Sequence, residues 1–257
     1  VTSSDSAPPQ TVTACLLIIG NEVLSGRTRD ANLQYLAQAL NEIGIRLTEA
    51  RVIPDDEATI VAAVNECRRR FDYVLSTGGI GPTHDDITAA AVAKAFGVVL
   101  RRHPQAEAWL RQHYRPEDIN PERMKMADVP EGATLIENPV SKAPGFQIGN
   151  VIVLPGVPRI MQAMFEGYRH HLKGGVRILS KAIAAYVPEG VIAKPLTELQ
   201  ARFKDVEIGS YPFVRDGRLG AALVLRTTDA ARLAAAAEGL RAIIRELGGE
   251  PVEDPSA

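Results

Sequence analysis

From Ala14 to Ile19 the chain is apolar without interruption, which predicts a strand buried on both faces. Leu33, Leu36, Ala37, Leu40 and Ile43 then recur at helical spacing, and Gly44 closes that helix. A weakly alternating strand is expected over Leu47 to Ile53, and Pro54-Asp55-Asp56 turns the chain into a second helix marked by Ile60, Val64, Cys67 and Phe71. The aromatic and β-branched run Phe71 to Leu75 suits another buried strand, followed by a helix over Ala89 to Phe96 that ends at Gly97. Two strand-helix units thus precede the turn between Leu75 and Ala89, the rhythm of a parallel sheet covered by helices.

Beyond that turn the pattern predicts an amphipathic helix over Gln105 to Tyr114, a helical turn over Pro121 to Ala127 and a strand over Ala133 to Glu137. Two short strands between Gln147 and Leu154 flank a Gly149-Asn150 turn, and a helix follows from Arg159 to His171. Lys173-Gly174-Gly175 reads as a joint. After it come a strand near Val176 to Ala185, a helix over Glu189 to Phe203 that Pro195 is expected to break or kink, and strands over Val206 to Phe213 and Leu219 to Arg226 joined by Asp216-Gly217. An Ala-rich helix over Asp229 to Leu247 completes the series. The expected organisation is a leader over 1–13, a large α/β domain over 14–172, a small α+β domain over 173–250 and a tail over 251–257.

Of the 257 residues 46% are hydrophobic and 23% charged, and the formal net charge is -2, a globular profile without the basic excess of a general nucleic-acid binder. No nucleic-acid partner is expected. Val1 to Thr13, rich in Ser, Pro and Thr, has neither the basic start nor the apolar segment of a signal peptide and is expected to be disordered. No apolar run reaches the length of a membrane span, so a cytoplasmic protein without a membrane partner is expected. Cys15 and Cys67 lack metal-ligand spacing and are expected as reduced core residues.

The densest chemistry lies in the stretch Ser76-Thr77-Gly78-Gly79-Ile80-Gly81-Pro82-Thr83-His84-Asp85-Asp86-Ile87-Thr88. Its glycines occupy a strand-to-helix turn, where open α/β sheets bind ligands and where backbone N–H groups and the helix dipole favour phosphate. Asp85 and Asp86 would repel a bare phosphate, and a divalent cation resolves the conflict, because Mg²⁺ binds one or two carboxylates together with phosphate oxygens. The plain alternative is that Asp86 or Thr83 caps the helix while Asp85 is solvated. Glu22, just past the first strand, and Asp30, near the next helix, fall at the same sheet end; as lone residues they would be a loop charge and a cap. A second dense loop, Asn138-Pro139-Val140-Ser141-Lys142-Ala143-Pro144-Gly145, and the Pro155-Gly156-Val157-Pro158 turn offer two more close backbone approaches, or only turns.

Four ordered motifs are Gly20-Asn21-Glu22-Val23-Leu24-Ser25-Gly26 with Asp30 and Asn32, Thr77 to Thr83 with Asp85, Asp86 and Thr88, Ala143-Pro144-Gly145, and Leu154-Pro155-Gly156-Val157-Pro158. Together they resemble the N-terminal region of the CinA (competence-damage-inducible) family, itself similar to the molybdopterin-binding domain of MogA and MoaB proteins. The resemblance covers roughly residues 14 to 250. It implies a three-layer α/β domain of the molybdopterin-binding type with a mostly parallel sheet, and hydrolysis of the ADP-ribose pyrophosphate with a divalent metal ion (Mg²⁺, Mn²⁺ or Co²⁺).

Similar domains of eukaryotic FAD synthases imply cleavage of FAD instead, and MogA-type relatives imply adenylylation of molybdopterin. A nucleotide or pterin ligand is therefore expected, and a homo-oligomer, with a dimer favoured. In the expected site Thr77, Gly78, Gly79, Gly81, Pro82, Thr83 and Thr88 meet the substrate, with Asn32, Ser141, Lys142, Ala143, Pro144, Gly145, Pro155 and Gly156. Glu22, Asp30, Asp85 and Asp86 are the candidate metal ligands, and Asp85, Asp86, His84 and Glu22 the candidate catalytic groups. Two departures are visible: Ser141-Lys142 stand where many CinA members carry a Gly and a small residue, and the C-terminal deamidase domain of CinA is missing from the sequence, so a stand-alone form without deamidase activity is expected. A non-catalytic nucleotide-binding protein is the remaining alternative.

Overall fold

The computed structural model describes residues 11–215 and 217–253. Two compact units emerge, one reaching Val176 and the other beginning at Arg177.

The first unit opens with β1 (Val12–Ile19), the short α1 (Asn21–Leu24), α2 (Asn32–Glu42), β2 (Ile45–Ile53), α3 (Glu57–Arg70), β3 (Tyr73–Thr77) and α4 (Thr88–Phe96). There follow β4 (Leu100–Arg102), α5 (Pro104–His113), α6 (Pro121–Lys125), β5 (Asp128–Pro130), β6 (Thr134–Ile136), β7 (Gly145–Ile148), β8 (Val151–Leu154) and α7 (Pro158–Tyr168). The main sheet has the order β2-β1-β3-β8-β7-β6; β2, β1, β3 and β8 run parallel, while β7 is antiparallel to both its neighbours.

Strand β1 explains the three layers. Cys15, Leu17 and Ile19 enter a core with Ile60, Val64 and Cys67 of α3 and Ala91 and Val92 of α4. Ala14, Leu16 and Ile18 enter a second core with Leu36 and Leu40 of α2 and Met161 and Phe165 of α7. Because side chains alternate across a strand, only an all-apolar run can feed both layers. Each large side chain so buried contributes about 1.5–3 kcal/mol. After β1 the chain moves outward to β2, whereas β3 leads toward β8 on the other side. The strand order therefore reverses between β1 and β3, and a crevice at their carboxyl ends is where such sheets take ligands.

β1 begins at Val12, inside the segment read as a leader, and Asp72 holds it by accepting bonds from the Thr13 N–H (2.7 Å) and hydroxyl (2.9 Å). The rest of that leader reading, residues 1–10, lies outside the described residues.

In the second unit β9 (Leu179–Ala185), α8 (Glu189–Arg202), β10 (Glu207–Arg215), β11 (Arg218–Thr227), α9 (Ala230–Glu246) and β12 (Val252–Glu253) form an antiparallel sheet, β10-β11-β9-β12, with helices on one face. Helix α8 runs through Pro195 unbroken. Ile192 and Leu199, on either side of the proline, are both fully buried in the unit's core, and that anchoring offsets the hydrogen bond the ring removes. Val252 and Glu253 pair with Ala184 and Ile183, so a strand occupies two positions of the segment read as a tail, whose last four residues lie outside the described set.

Candidate functional site

At the carboxyl end of β3 the backbone turns through Gly78 (φ 104) and Gly79 (φ 67), both in the left-handed region that glycine alone enters without strain. Space is equally decisive. A Cβ on Gly78 would lie 2.1 Å from the Ile19 carbonyl oxygen, and one on Gly79 the same distance from the Thr88 hydroxyl. The turn is thus pressed onto the end of β1. It is pinned by the Thr88 N–H to the Gly79 carbonyl (3.0 Å), the Thr88 hydroxyl to the Gly78 carbonyl (3.1 Å) and the Gly78 N–H to the Leu154 carbonyl (3.1 Å).

The Pro155-Gly156 turn after β8 arrives from the other side, with only 3.4 Å between the Gly156 Cβ position and the Gly78 Cα. Asn32, at the start of α2, donates its amide to the Gly156 carbonyl at 2.8 Å. Pro144 borders a cavity of about 30 Å³ together with Gly79, Gly81, Asp86, Lys125 and Asp128. All four motifs therefore reach one end of the sheet.

The acidic residues take distinct roles. Asp86 accepts through a single oxygen, Oδ2, from the Thr83 N–H (2.8 Å) and hydroxyl (2.5 Å), closing the loop rather than capping α4, whose first turn has no side-chain cap. Asp85 is exposed; the Thr83 hydroxyl, then its own backbone N–H, hold its carboxyl below the usual range, and the charges of His84 and Lys125 add to this. His84 is almost fully exposed, its Nδ1 4.0 Å from the Asp85 carboxylate. Asp30 accepts from the Leu33 N–H at 2.8 Å and so starts α2. The Glu22 carboxylate folds back over Gly20, 2.7 Å from where a Cβ would stand there. Among the described residues these four carboxylates do not form a group of three donors within reach of one ion; the group that does is Cys15, Glu49 and Cys67, all within 4.8 Å of one another.

That core cluster was invisible to spacing, since the two sulfurs, 3.6 Å apart, come from residues 52 positions apart. Burial pushes both thiols up, and the Glu49 carboxylate already pairs with Arg51 and Arg70.

In the second loop Asn138, 1% exposed, organises the chain. Its amide donates to the Ser141 hydroxyl (2.7 Å) and the Ala143 carbonyl (2.8 Å), and its oxygen accepts from the Val140 and Ser141 N–H groups, both at 3.0 Å. Lys142 is held at φ 60, and its ammonium pairs with Glu137 at 2.9 Å rather than with the glycine turn. Gly145 is buried at the start of β7, and Pro82 is exposed.

Sequence reasoning passed over three contributors. Lys125, at the end of α6, donates to the Thr83 carbonyl at 2.9 Å; Asp55 accepts from the Asn21 N–H at 2.8 Å; Asn138 has just been described. Lys125 carries no local signal, whereas Asp55 follows a strand end and Asn138 precedes a proline, both cues for a loop-fixing side chain.

Buried polar atoms complete the picture. Among the described residues the Ser76 and Thr77 hydroxyls and the Asn32 Oδ1 are enclosed without a hydrogen-bond partner. All three residues sit at the β3 and α2 ends that frame the crevice. Leaving such atoms unpaired costs about 1–3 kcal/mol each.

The family model described as "Probable molybdopterin binding domain" matches residues 15–173, and the one described as "FAD synthase, middle domain" matches residues 177–248. The chain belongs to the molybdopterin-binding-domain family. A solved structure of CinA from Thermoplasma acidophilum is 36% identical with a TM-score of 0.60, covering 63% of this chain and 99% of that one. A CinA-like protein of Syntrophus aciditrophicus is 37% identical over 79% of this chain and 52% of its own length. A "Probable FAD synthase" of Caenorhabditis elegans is 30% identical over 92% of this chain and 50% of its own length. The chain thus spans about half of these last two relatives. Among the described residues no helix is long and apolar enough to cross a membrane.

Proposed function

We propose that this chain hydrolyses the pyrophosphate of a dinucleotide, FAD or ADP-ribose, at the crevice between β1 and β3. The observation that carries the reading is the meeting of Gly78, Gly156 and Asn32 around buried polar atoms that have no partner among the described residues, with the exposed Asp85 on the loop that follows Gly79. The glycine turn admits a phosphate without side-chain hindrance. FAD is favoured by the second unit's likeness to an FAD synthase middle domain.

The donor set fits a divalent ion of the Mg²⁺ kind. Asp85 is exposed and kept ionised, and Asp86 commits only Oδ2 to Thr83, leaving carboxylate oxygens for an ion whose remaining ligands are phosphate oxygens and water. When bound, such an ion polarises the phosphoryl group and acidifies water. Asp85 and Asp86 would hold it. Thr83 keeps Asp86 in place, Lys125 fixes the Thr83 carbonyl, and the Gly78-Gly79 turn, bare of side chains, would leave room for the phosphate. His84, its Nδ1 4.0 Å from the Asp85 carboxylate, or one of the carboxylates would take the proton of the attacking water. Water adds to one phosphorus, the bridging P–O bond breaks, and FAD yields AMP and FMN.

The second reading, molybdopterin binding or adenylylation, draws on the family match over 15–173. Purified protein incubated with FAD, ADP-ribose or NADH and Mg²⁺, Mn²⁺ or Co²⁺ separates the two. Metal-dependent AMP release supports hydrolysis; no release, with ATP-dependent adenylylation of molybdopterin, replaces it by the second reading.

A further inference from the structure

We propose that Cys15, Cys67 and Glu49 form a binding site for a thiophilic divalent cation of the Zn²⁺ kind, which ties β1 and the edge strand β2 to α3. The site is separate from the oxygen-ligand site of the pyrophosphatase reading and does not depend on it.

A break in register builds the site. Strand β2 lies at the sheet edge, and along its pairing with β1 Ala14 stands opposite Leu47 but Cys15 opposite Glu49, so Thr48 is an extra residue, a β-bulge. Before the bulge, Ile45 and Leu47 pack with Ala14 into the core under α2 and α7. After it, Ile53 packs with Cys15 into the core under α3 and α4, although 45, 47 and 53 would share one face of an unbroken strand. The bulge therefore flips the side-chain phase and turns Glu49 to the face where Cys15 meets Cys67. Without it the carboxylate would point into the opposite layer. The Thr48 hydroxyl holds the bulge by donating to the Ala14 carbonyl at 3.3 Å.

Distances suit the ion. The two sulfurs are 3.6 Å apart, and with a Glu49 oxygen they form a group of donors all within 4.8 Å of one another. Bonds of about 2.3 Å at a tetrahedral angle hold two zinc-bound sulfurs about 3.8 Å apart, so the pair needs little movement. A thiol–thiol hydrogen bond accounts for the sulfur pair but not for a carboxylate turned onto it. The Glu49 oxygens accept from Arg51 at 2.5 Å and Arg70 at 3.0 Å, and each keeps a lone pair for a metal. Hydrogen bonds of this kind are the usual outer support of a ligand carboxylate. Charge balances as well: Glu49 and Glu66 offset Arg51 and Arg70, so two thiolates meet the ion's two positive charges. As each S–metal bond forms, an S–H bond breaks and its proton leaves to solvent. Both cysteines are fully buried, whereas Glu49 is partly exposed and gives the ion its way in.

The test titrates the reduced full chain with Cd²⁺ or Co²⁺ and reads sulfur-to-metal charge-transfer absorption. Cys15 and Cys67 are the two cysteines of the sequence, so the band reports on them alone. One ion per chain should saturate the band, Zn²⁺ should displace the probe, and Mg²⁺ should not. Glu49→Gln should weaken binding by about 10–100-fold. Glu66→Gln disturbs the same arginines without removing a ligand and should leave the affinity unchanged. Cys67→Ala should remove the band of a two-sulfur site. No band in the wild-type chain, saturation at one ion per two chains, or identical affinities in Glu49→Gln and Glu66→Gln overturns the proposal. If Cys67→Ala does not fold, the two glutamate variants, both at partly exposed positions, decide.

Discussion

The Asn32 side-chain amide donates to the Gly156 backbone carbonyl at 2.8 Å, joining two turns 124 positions apart in the chain. Asn32 is 3% exposed, so the bond is shielded from water, while its Oδ1 has no partner among the described residues. Asn32→Ala should lower stability by about 1–3 kcal/mol, the cost of leaving the carbonyl unpaired. Urea unfolding measures this. If the Oδ1 meets substrate, KM for FAD should rise as well; a stability loss with unchanged KM would make Asn32 purely structural.

Two glycines of the crevice predict opposite outcomes. Gly78→Ala places a methyl 2.1 Å from the Ile19 carbonyl at φ 104, so the turn must open, and loss of both fold stability and activity is expected. At Gly156 the nearest atom is 3.4 Å away, an ordinary contact, and Gly156→Ala should fold normally. Thermal melts of both variants check the pair. Equal tolerance would show that the Gly78 contact is not a steric limit.

Asp85→Asn is close to isosteric and Asp85 is exposed, so the fold should survive unchanged. Under the hydrolase reading its rate should fall by about 10²-fold or more, the scale of removing one strong electrostatic contributor. AMP release at saturating FAD and Mg²⁺ measures it. Undiminished turnover would remove Asp85 from the chemistry.

Glu66 on α3 accepts from Arg51 at 2.6 and 2.8 Å and from Arg70 at 2.7 Å, and these bonds hold its pKa at about 2 against an ordinary 4.5. A carboxyl depressed in the folded state adds stability that is fully present above 4.5 and is lost as pH falls toward 2. Glu66→Gln should therefore be less stable than wild type at neutral pH, with the gap closing across that window. Urea midpoints taken at intervals from pH 7 to pH 2 would reveal a gap that persists in acid, which this linkage forbids.

Much of the fold was legible because its signals are local. The apolar run from Ala14 to Ile19, the glycines closing α2 and α4, and the Gly149-Asn150 hairpin are written in neighbouring residues. Edges were less legible. Val12 and Thr13 join β1 through Asp72, far along the chain, and Val252 becomes a strand only because β9 offers it an edge. Pro195 was misleading because a propensity of about 3 kcal/mol is outweighed when the residues around it are anchored in a core.

Sequence by itself determined the two-unit order, the parallel rhythm of the first unit and the four polar motifs, because periodicity and glycine conformational preference act over a few residues. Tertiary structure alone decided which of those motifs touch. It seated Gly78 against Ile19 and Gly156, tied Asp86 to Thr83 and Lys142 to Glu137, brought Lys125 to the Thr83 carbonyl, and set Cys15 beside Cys67. Contacts between distant segments depend on strand order and on which helix covers which face, and neither is encoded in the spacing of any one motif.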